Sequence, residues 1–436
     1  MKNLLLFFLI FPLVLGAQEA HKFLIRAGKL FDSESGQFKT GQSIFVNNGK
    51  IESVKSEKDI LPAERTDYQL IDLSKYAVLP GLIDAHTHLL YREVLHPGND
   101  LPGLDLGKAL TMEGDSYRAI YGGARARAYL EAGITAVQDL GNSGQFGDIA
   151  LRRAIHEGLV PGPHMRCAGQ GLSTEGGQIP GLIYKHRDLV NDEYRVIKSA
   201  DDAKQAVREN ITQGADVIKI YSNNTPNNTR LSLEEIKAIV TEAHRYGIRV
   251  TAHATDNNAV YNAVLGGVDG IEHGYQVDDS TLELMVKRKV ILVPTDGDSV
   301  TFMQYGKLAF PEDKNMPANI MGYRKFLGDR LRRAMKKGVM IAAGSDDYVD
   351  FKLPFSEPSK RTLIGYYESG ATIPQVLQFA TINGSKQLNW SDRIGIIKRG
   401  YVADIIAVDG DLDKNINAIL QVHFVMKEGK IIVEKY

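Results

Sequence analysis

The sequence has almost no cysteine, no excess of charge of either sign and no apolar run long enough to cross a bilayer. Cys167 is the single cysteine in 436 residues, so an intrachain disulfide and a lipid-anchoring cysteine near the N-terminus are both excluded. The 52 basic and 53 acidic side chains give a formal net charge of −1, which argues against nucleic acid as a partner. Stability must therefore come from a hydrophobic core, and 43% of the residues are hydrophobic.

The N-terminus has the pattern of a secretory signal. Lys2 precedes an apolar run, Leu4–Leu15, that is shorter than the roughly 20 residues needed to span a bilayer. Gly16 and Ala17 follow as the small residues typical of a cleavage region. We therefore expect residues 1–18 to be a signal peptide and the mature protein to be exported, periplasmic or secreted, with no stable membrane anchor. A short anchor or a buried first helix is the alternative.

Both ends of the chain consist of short apolar stretches separated by turns. Within residues 19–79, Asn48 and Gly49 stand between two alternating runs, which is a strong signal for a β-hairpin. Residues 399–436 show the same pattern around another glycine-centred turn. We predict that 19–79 and 399–436 together form one small β-sandwich domain.

Residues 80–398 alternate apolar strands with helices. Eight segments have the character of strands: 81–89, 133–140, 163–169, 215–221, 248–254, 268–274, 290–295 and 339–346. Ser199 and Ser232 are placed to begin helices, and Glu235 gives the second helix capping-box spacing. Eight strands alternating with helices predict an α/β fold, a parallel (β/α)8 TIM barrel, with a doubly wound sheet as the alternative.

Five polar residues stand at the ends of these predicted strands. His86 and His88 are two apart, so they share one face of a strand and could form half of a metal site. His253, His273 and Asp346 each close a later strand. Because the carboxyl ends of barrel strands form the active site, we expect the five side chains to converge. Taken singly, each is equally consistent with a hydrogen-bonded core residue or a helix cap.

Lys219 lies between Ile218 and Ile220 in an apolar strand. A buried lysine is costly as a cation and its pKa falls readily, unless it pairs with a carboxylate or lies at an exposed edge. A neutral amine can add carbon dioxide, and the resulting carbamate is a carboxylate able to bridge two metals. Alternation puts Tyr221 on the same face, where it either enters the site or packs in the barrel.

Five segments together resemble the amidohydrolase superfamily, and within it the imidazolonepropionase-like and Xaa-Pro dipeptidase-like branch. The segments are PGLIDAHTHL, IKIY, TAHA, IEHG and GSD. The resemblance implies two divalent metal ions, for which zinc suits the ligand types best, and a carbon dioxide adduct on Lys219. It assigns the ligands as follows: His86, His88 and Asp346 to one metal, His253 and His273 to the other, with carboxylated Lys219 and a hydroxide as bridges.

The same resemblance implies a hydrolase that cleaves a C–N amide bond of a small molecule, which we predict to be a dipeptide or an N-acyl amino acid. Asp346 would move the proton from the hydroxide to the leaving amine, and Tyr221 would bind the oxyanion or a substrate carboxylate. Gln178, where relatives often carry a histidine, and His96, in a loop near the mouth, are further candidate substrate contacts. Asp84 shares the face of His86 and has either a supporting or a purely structural role.

Three other functions remain open from the sequence. A cyclic amide or imidazolone hydrolase would use the same residues, and so would a phosphotriester or lactone hydrolase. A binding protein that retains the fold without catalysis is the third alternative. The sequence also leaves a homo-oligomer open.

Overall fold

The computed structural model describes residues 22–97 and 103–436, and the predicted signal peptide, residues 1–18, lies outside the described residues. The strands are β1 (Lys22–Asp32), β2 (Gln37–Asn47), β3 (Lys50–Ser56), β4 (Gln69–Pro80), β5 (Leu82–Thr87), β6 (Ile134–Asp139), β7 (His164–Cys167), β8 (Gly171–Ser173), β9 (Tyr194–Val196), β10 (Val217–Tyr221), β11 (Asn223–Asn224), β12 (Thr229–Arg230), β13 (Arg249–Ala254), β14 (Gly270–His273), β15 (Ile291–Val293), β16 (Ile405–Asp409), β17 (Val422–Lys427) and β18 (Lys430–Glu434).

Helices alternate with these strands through the middle of the chain. The α-helices are α1 (Leu104–Lys108), α2 (Gly114–Glu131), α3 (Gly147–His156), α4 (Ala200–Gln213), α5 (Leu233–Arg245), α6 (Asn257–Gly266), α7 (Asp279–Arg288), α8 (Ser299–Ala309), α9 (Met316–Lys337), α10 (Glu357–Glu368), α11 (Ile373–Gln378) and α12 (Gly384–Gln387). Short 3-10 helices cover Glu57–Asp59, Pro62–Glu64, Tyr184–Asp192 and Ile416–Leu420, and π-helical turns cover Ala109–Glu113 and Phe379–Asn383.

Both ends of the chain meet in one seven-stranded sheet with the order β18-β17-β16-β4-β1-β2-β3. The predicted hairpin at Asn48-Gly49 is confirmed: both residues have positive φ, +48° and +78°, as a two-residue type I′ turn requires. Glu428 and Gly429 form a matching turn at the other end of the chain, with φ of +50° and +73°. The two turns touch, since a Cβ on Gly429 would come within 2.7 Å of the Gly49 Cα.

The middle of the chain forms two parallel sheets, β5-β6-β7 and β15-β14-β13-β10-β8-β9. Seven of the eight predicted segments contain one of these strands. The eighth, 339–346, forms only one isolated bridge, between Ile341 and Leu292 on β15. Its regularity is lost toward the end, where Asp346 has a φ of +54°. It still lies beside β5, because the amide of Asp346 donates to the carbonyl of His86 at 2.8 Å.

The predicted helix starts are also confirmed. Ser199 accepts a hydrogen bond from the amide of Asp202 at the start of α4. Ser232 and Glu235 form a complete capping box at the start of α5, which satisfies two amides that would otherwise lack partners. Apolar faces of these helices pack on the parallel strands in one large core. No helix within the described ranges is both long enough and apolar enough to cross a membrane.

Candidate metal centre

Three predicted ligands converge at the carboxyl ends of the parallel strands. The Nε2 atoms of His86 and His88 lie 3.2 Å apart, and Asp346 Oδ1 lies 3.4 Å from the first and 3.1 Å from the second. One ligand atom from each residue can therefore reach a common point. Since two imidazole lone pairs at this distance repel each other, the arrangement is stable only with a proton or a cation between them.

The outer nitrogens of both imidazoles are held by hydrogen bonds that leave the inner nitrogens available. His86 Nδ1 donates to Glu272 Oε2 at 2.7 Å, and His88 Nδ1 donates to the carbonyl of Gly141 at 2.8 Å. Burial lowers the pKa of His86 well below its usual value, with a further contribution from the nearby Lys219. His86 is therefore neutral, with the Nε2 lone pair directed at the site, which is the form that binds a metal.

His253 and His273 form a second pair of imidazoles beside the first. Their ring centroids are 4.7 Å apart, and the His273 ring is 5.2 Å from that of His86. Thr295 donates its hydroxyl proton to the Pro294 carbonyl, so its oxygen accepts from His273 Nδ1 at 2.8 Å and frees Nε2. The Nε2 atom of His253 is buried and has no hydrogen-bond partner among the described residues. Burial lowers the pKa of both imidazoles well below the usual value.

Lys219 reaches the same point from β10. Its side chain is 1% exposed, and its Nζ lies 3.5 Å from His86 Nε2 and 5.3 Å from the centre of the Tyr221 ring. Burial lowers the pKa of this amine, although Glu272 and Asp346 act in the opposite direction. Within the described residues it makes no ion pair closer than 4.0 Å, so the alternative of a lysine paired with a carboxylate is not what the geometry shows.

Left-handed backbone marks three consecutive strand ends at the site. His273, Thr295 and Asp346 have φ of +69°, +60° and +54°, values that are uncommon for residues other than glycine. Such conformations cost on the order of 1–3 kcal/mol each and persist where the surrounding structure holds them. Here they turn the His273 and Asp346 side chains toward the imidazoles of the other strands.

Asp84 ties together the two strand ends that carry ligands. Its Oδ1 accepts from the amides of His86 (3.1 Å) and Ser345 (3.0 Å), and its Oδ2 accepts from the hydroxyls of Ser345 and Ser359, both at 2.6 Å. Burial raises its pKa to about 6 despite these four donors. Asp84 thus fixes the position of His86 relative to Asp346 without lining the main cavity.

A cavity of about 370 Å³ opens above these residues. Tyr221 and Gln178 line it, whereas His96 is exposed and is not among its lining residues. The Tyr221 ring lies 5.2 Å from that of His253, and burial raises the pKa of its phenol well above the usual value, so the hydroxyl is a hydrogen-bond donor. Gln178 Nε2 donates to the carbonyl of Asn223 at 3.2 Å and so also holds the loop after β10.

Comparison with known proteins identifies the family. The sequence model of the Amidohydrolase family matches residues 77–432. The chain belongs to the amidohydrolase family. Ochratoxinase of Aspergillus niger is 25% identical over 96% of this chain and 88% of its own length. Imidazolonepropionase of Clostridium tetani is 22% identical over 90% of this chain and 91% of its own length.

Solved structures agree with this family. A crystal structure of a Xaa-Pro dipeptidase with bound methionine in the active site superposes with a TM-score of 0.78 and 28% identity, covering 94% of this amidohydrolase and 99% of the other chain. Such neighbours imply a TIM barrel together with a β-sandwich. The predicted superfamily and branch are confirmed, and the protein is a hydrolase that acts on C–N bonds.

The donor set of this amidohydrolase fits divalent metals. Neutral imidazoles and a carboxylate are ligands of zinc and similar cations, and amidohydrolases generally bind divalent metals. The buried Nε2 of His253, which has no partner in the part of the chain that the structure describes, supports the same conclusion, because such an atom needs a partner.

Glu272 supports the metal ligands and was not predicted from the sequence. It is fully buried, and burial raises its pKa to about 7. The available signal was an acidic residue inside the apolar segment Gly270–His273, directly before a predicted ligand. Strict alternation along β14 would place Glu272 and His273 on opposite faces, but the positive φ of His273 breaks that alternation.

Proposed function

We propose that this amidohydrolase hydrolyses a C–N amide bond of a dipeptide or an N-acyl amino acid, using two divalent metals. The observation that carries the proposal is the convergence of the His86 and His88 Nε2 atoms, 3.2 Å apart, on the carboxylate of Asp346. When bound, a pair of divalent metals lowers the pKa of a shared water and polarises the scissile carbonyl. Zinc is the metal that the imidazole and carboxylate donors suit best.

The proposed ligand sets follow the two groups of side chains in the cavity. His86, His88 and Asp346 would hold one metal, and His253 and His273 the other. The orienting hydrogen bonds to Glu272, Gly141 and Thr295 support His86, His88 and His273 as ligands, because each leaves an Nε2 lone pair free.

We further propose that Lys219 is carboxylated and bridges the two metals. Its neutral amine would attack carbon dioxide, forming an N–C bond and releasing one proton from the nitrogen, which gives a carbamate with one negative charge. The position supports this step: Nζ lies 3.5 Å from His86 Nε2, in a buried site where the described residues offer it no ion pair. The carbamate would supply the bridging oxygens that a lysine amine lacks.

Asp346 and Tyr221 are the proposed catalytic residues. The Asp346 carboxylate would accept the proton of the attacking water and deliver it to the leaving amine. Burial acts to raise the pKa of Asp346, but electrostatic interactions within the site outweigh it and hold the pKa below its usual value, so the carboxylate starts unprotonated. The Tyr221 hydroxyl would donate a hydrogen bond to the developing oxyanion.

The proposed architecture is a closed (β/α)8 barrel beside a β-sandwich built from both chain ends. Three backbone hydrogen bonds support closure by joining strands that belong to different sheets or to the irregular eighth segment. The amide of Ala85 donates to Ala343 at 2.8 Å, that of Leu292 donates to Met340 at 2.9 Å, and that of Asp216 donates to Cys167 at 2.9 Å. The first bond joins β5 to the eighth segment, the second joins the eighth segment to β15, and the third joins β7 to the start of β10.

The experiment that tests the function is a dipeptide and N-acyl amino acid library assayed on purified protein beginning near residue 19, with zinc, manganese, cobalt and iron quantified in the same sample. We expect about two metals per chain and turnover of a subset of the library. Cyclic amides, lactones and phosphotriesters belong in the same screen, and turnover confined to them would replace the proposed substrate class. A metal-free protein without hydrolase activity would favour a binding protein.

Export to the periplasm or medium remains a proposal, to be tested by fractionating cells that express the full chain.

A further inference from the structure

A second cavity adjoins the one above the metal ligands. It encloses about 300 Å³ and shares three lining residues, Tyr275, Tyr323 and Tyr348, with the main cavity. Most of its wall is aromatic or aliphatic, including Phe302 at 6.0 Å from the Tyr323 ring. Among its described lining residues, Glu93 alone carries a charge.

Glu93 is held rigidly but is left with one unused oxygen. Its side chain is 1% exposed. Its Oε2 accepts hydrogen bonds from the Tyr91 hydroxyl and from the amide of Gly103, the latter at 3.2 Å. Its Oε1 is buried, and among the described residues it has neither a hydrogen-bond partner nor a cation that forms an ion pair with it. An unpaired buried carboxylate is energetically unfavourable. We therefore expect a bound molecule to supply a hydrogen-bond donor or a cation to the second oxygen.

The surroundings of this oxygen suit a cation better than a neutral donor. Tyr348 stacks on Tyr91 with centroids 5.5 Å apart and also lies 5.7 Å from the His88 ring, so it connects the carboxylate to the metal ligands. Aromatic faces attract ammonium groups, and the attraction grows when water is excluded. A carboxylate behind aromatic rings therefore combines two favourable interactions with one positive charge.

We propose that this second cavity is a substrate subsite in which Glu93 binds an ammonium group. The inference rests on the proposed amide hydrolysis and deepens it by naming the substrate class: amides that carry an ammonium group on an arm long enough to pass Tyr348. Of the two proposed substrate types, this favours peptides with a free amine over N-acyl amino acids without one.

The test compares the binding of benzylammonium with that of benzyl alcohol, which has nearly the same shape but no charge. Isothermal titration calorimetry of the metal-loaded protein at pH 7.5 should show roughly tenfold or greater preference for the cation, consistent with a charge-assisted contact. In Glu93→Gln this preference should vanish. The matched control is Glu175→Gln, which removes one negative charge at an exposed position that lines neither cavity.

Equal affinity of the two probes for the wild-type protein, or a preference that survives Glu93→Gln, would overturn the proposal. Glu93→Ala is the second variant, because it removes the charge without leaving a polar amide in the buried position. If Glu93→Gln does not fold, a preference for the cation that survives in Glu93→Ala overturns the proposal equally. Since the measurement needs no turnover, binding that depends on Glu93 in a protein without amidase activity would reject the proposed function and leave the subsite standing.

Discussion

His86 Nδ1 and Glu272 Oε2 lie 2.7 Å apart in the buried interior, although the two residues are 186 positions apart in the sequence. The hydroxyl of Thr251 donates to the other carboxylate oxygen, so Glu272 is itself held in place. This carboxylate determines which nitrogen of His86 carries the proton and therefore which one is free for a metal.

Glu272→Gln should weaken metal binding by about 10–100-fold, because the lost charge reduces the basicity of His86 and its orientation is less well fixed. Metal content after dialysis against a graded series of chelator concentrations measures the effect. Glu242→Gln is the matched control, since Glu242 is also buried but pairs with Arg208 and Arg245 on the outer helices. Equal metal retention in wild-type protein and Glu272→Gln would show that the hydrogen bond does not support the site.

The Lys219→Ala variant should lose the second metal. Its kcat/KM should fall by more than the roughly 10–100-fold expected when a residue that only hydrogen-bonds to a metal ligand is removed. Formate or propionate added to this variant should restore part of the activity, because a small carboxylate can occupy the space of the lost carbamate. Metal stoichiometry and turnover with and without added carboxylate are the measurements. Lys287→Ala, at an exposed position on α7, controls for the loss of a lysine. Two metals per chain and full turnover in Lys219→Ala would exclude a bridging role.

The fold was predictable where local chemistry and tertiary structure agree. Asn48 and Gly49 tolerate positive φ, so these two adjacent residues are enough to predict the hairpin. Ser232 and Glu235 predict a helix start from local sequence in the same way. The irregular end of segment 339–346 was not predictable. Its conformation depends on the positive φ of Asp346, which is held by a contact with the distant carbonyl of His86.

The candidate site was predictable to the extent that its residues follow strand alternation. Lys219 and Tyr221 both line the cavity, as residues two apart on β10 should. Glu272 and Glu93 were missed for different reasons. Alternation assigns Glu272 to the wrong face because His273 has a positive φ. Glu93 lies in a loop, where its burial against Tyr91 and Gly103 has no counterpart in a periodic pattern.

Tyr221→Phe should lower kcat by about 10²–10³-fold with little change in metal content, because it removes an oxyanion donor and keeps the ring. Steady-state kinetics on the best substrate from the library, with metal analysis of the same preparation, provide the measurement. Tyr246→Phe is a suitable control because Tyr246 is 51% exposed at the end of α5. An unchanged kcat would assign Tyr221 to packing, the alternative that the sequence left open.

Lys360, on α10, should make the free energy of unfolding depend on pH in the alkaline range. Its side chain is 6% exposed and donates to the carbonyl of Leu420 at 3.0 Å. Burial lowers its pKa from 10.5 to about 8. Between these two values the unfolded chain binds more protons than the folded chain, so the free energy of unfolding rises with pH across that window. Below about pH 8 Lys360 is charged in the folded protein, and the full free-energy cost of burying the cation lowers the stability.

Lys360→Met removes this buried charge while filling similar space. The variant should be more stable than the wild-type protein at pH 7, and its advantage should shrink by about 2 kcal/mol at pH 10, where the wild-type lysine is neutral in the folded state. Urea unfolding at both pH values measures the difference, and Lys237→Met, at an exposed position on α5, should give the same difference from wild type at both. An advantage of Lys360→Met that is independent of pH would mean that packing rather than charge sets the stability at this position. The comparison isolates one group, because every other titrating side chain is present in both proteins.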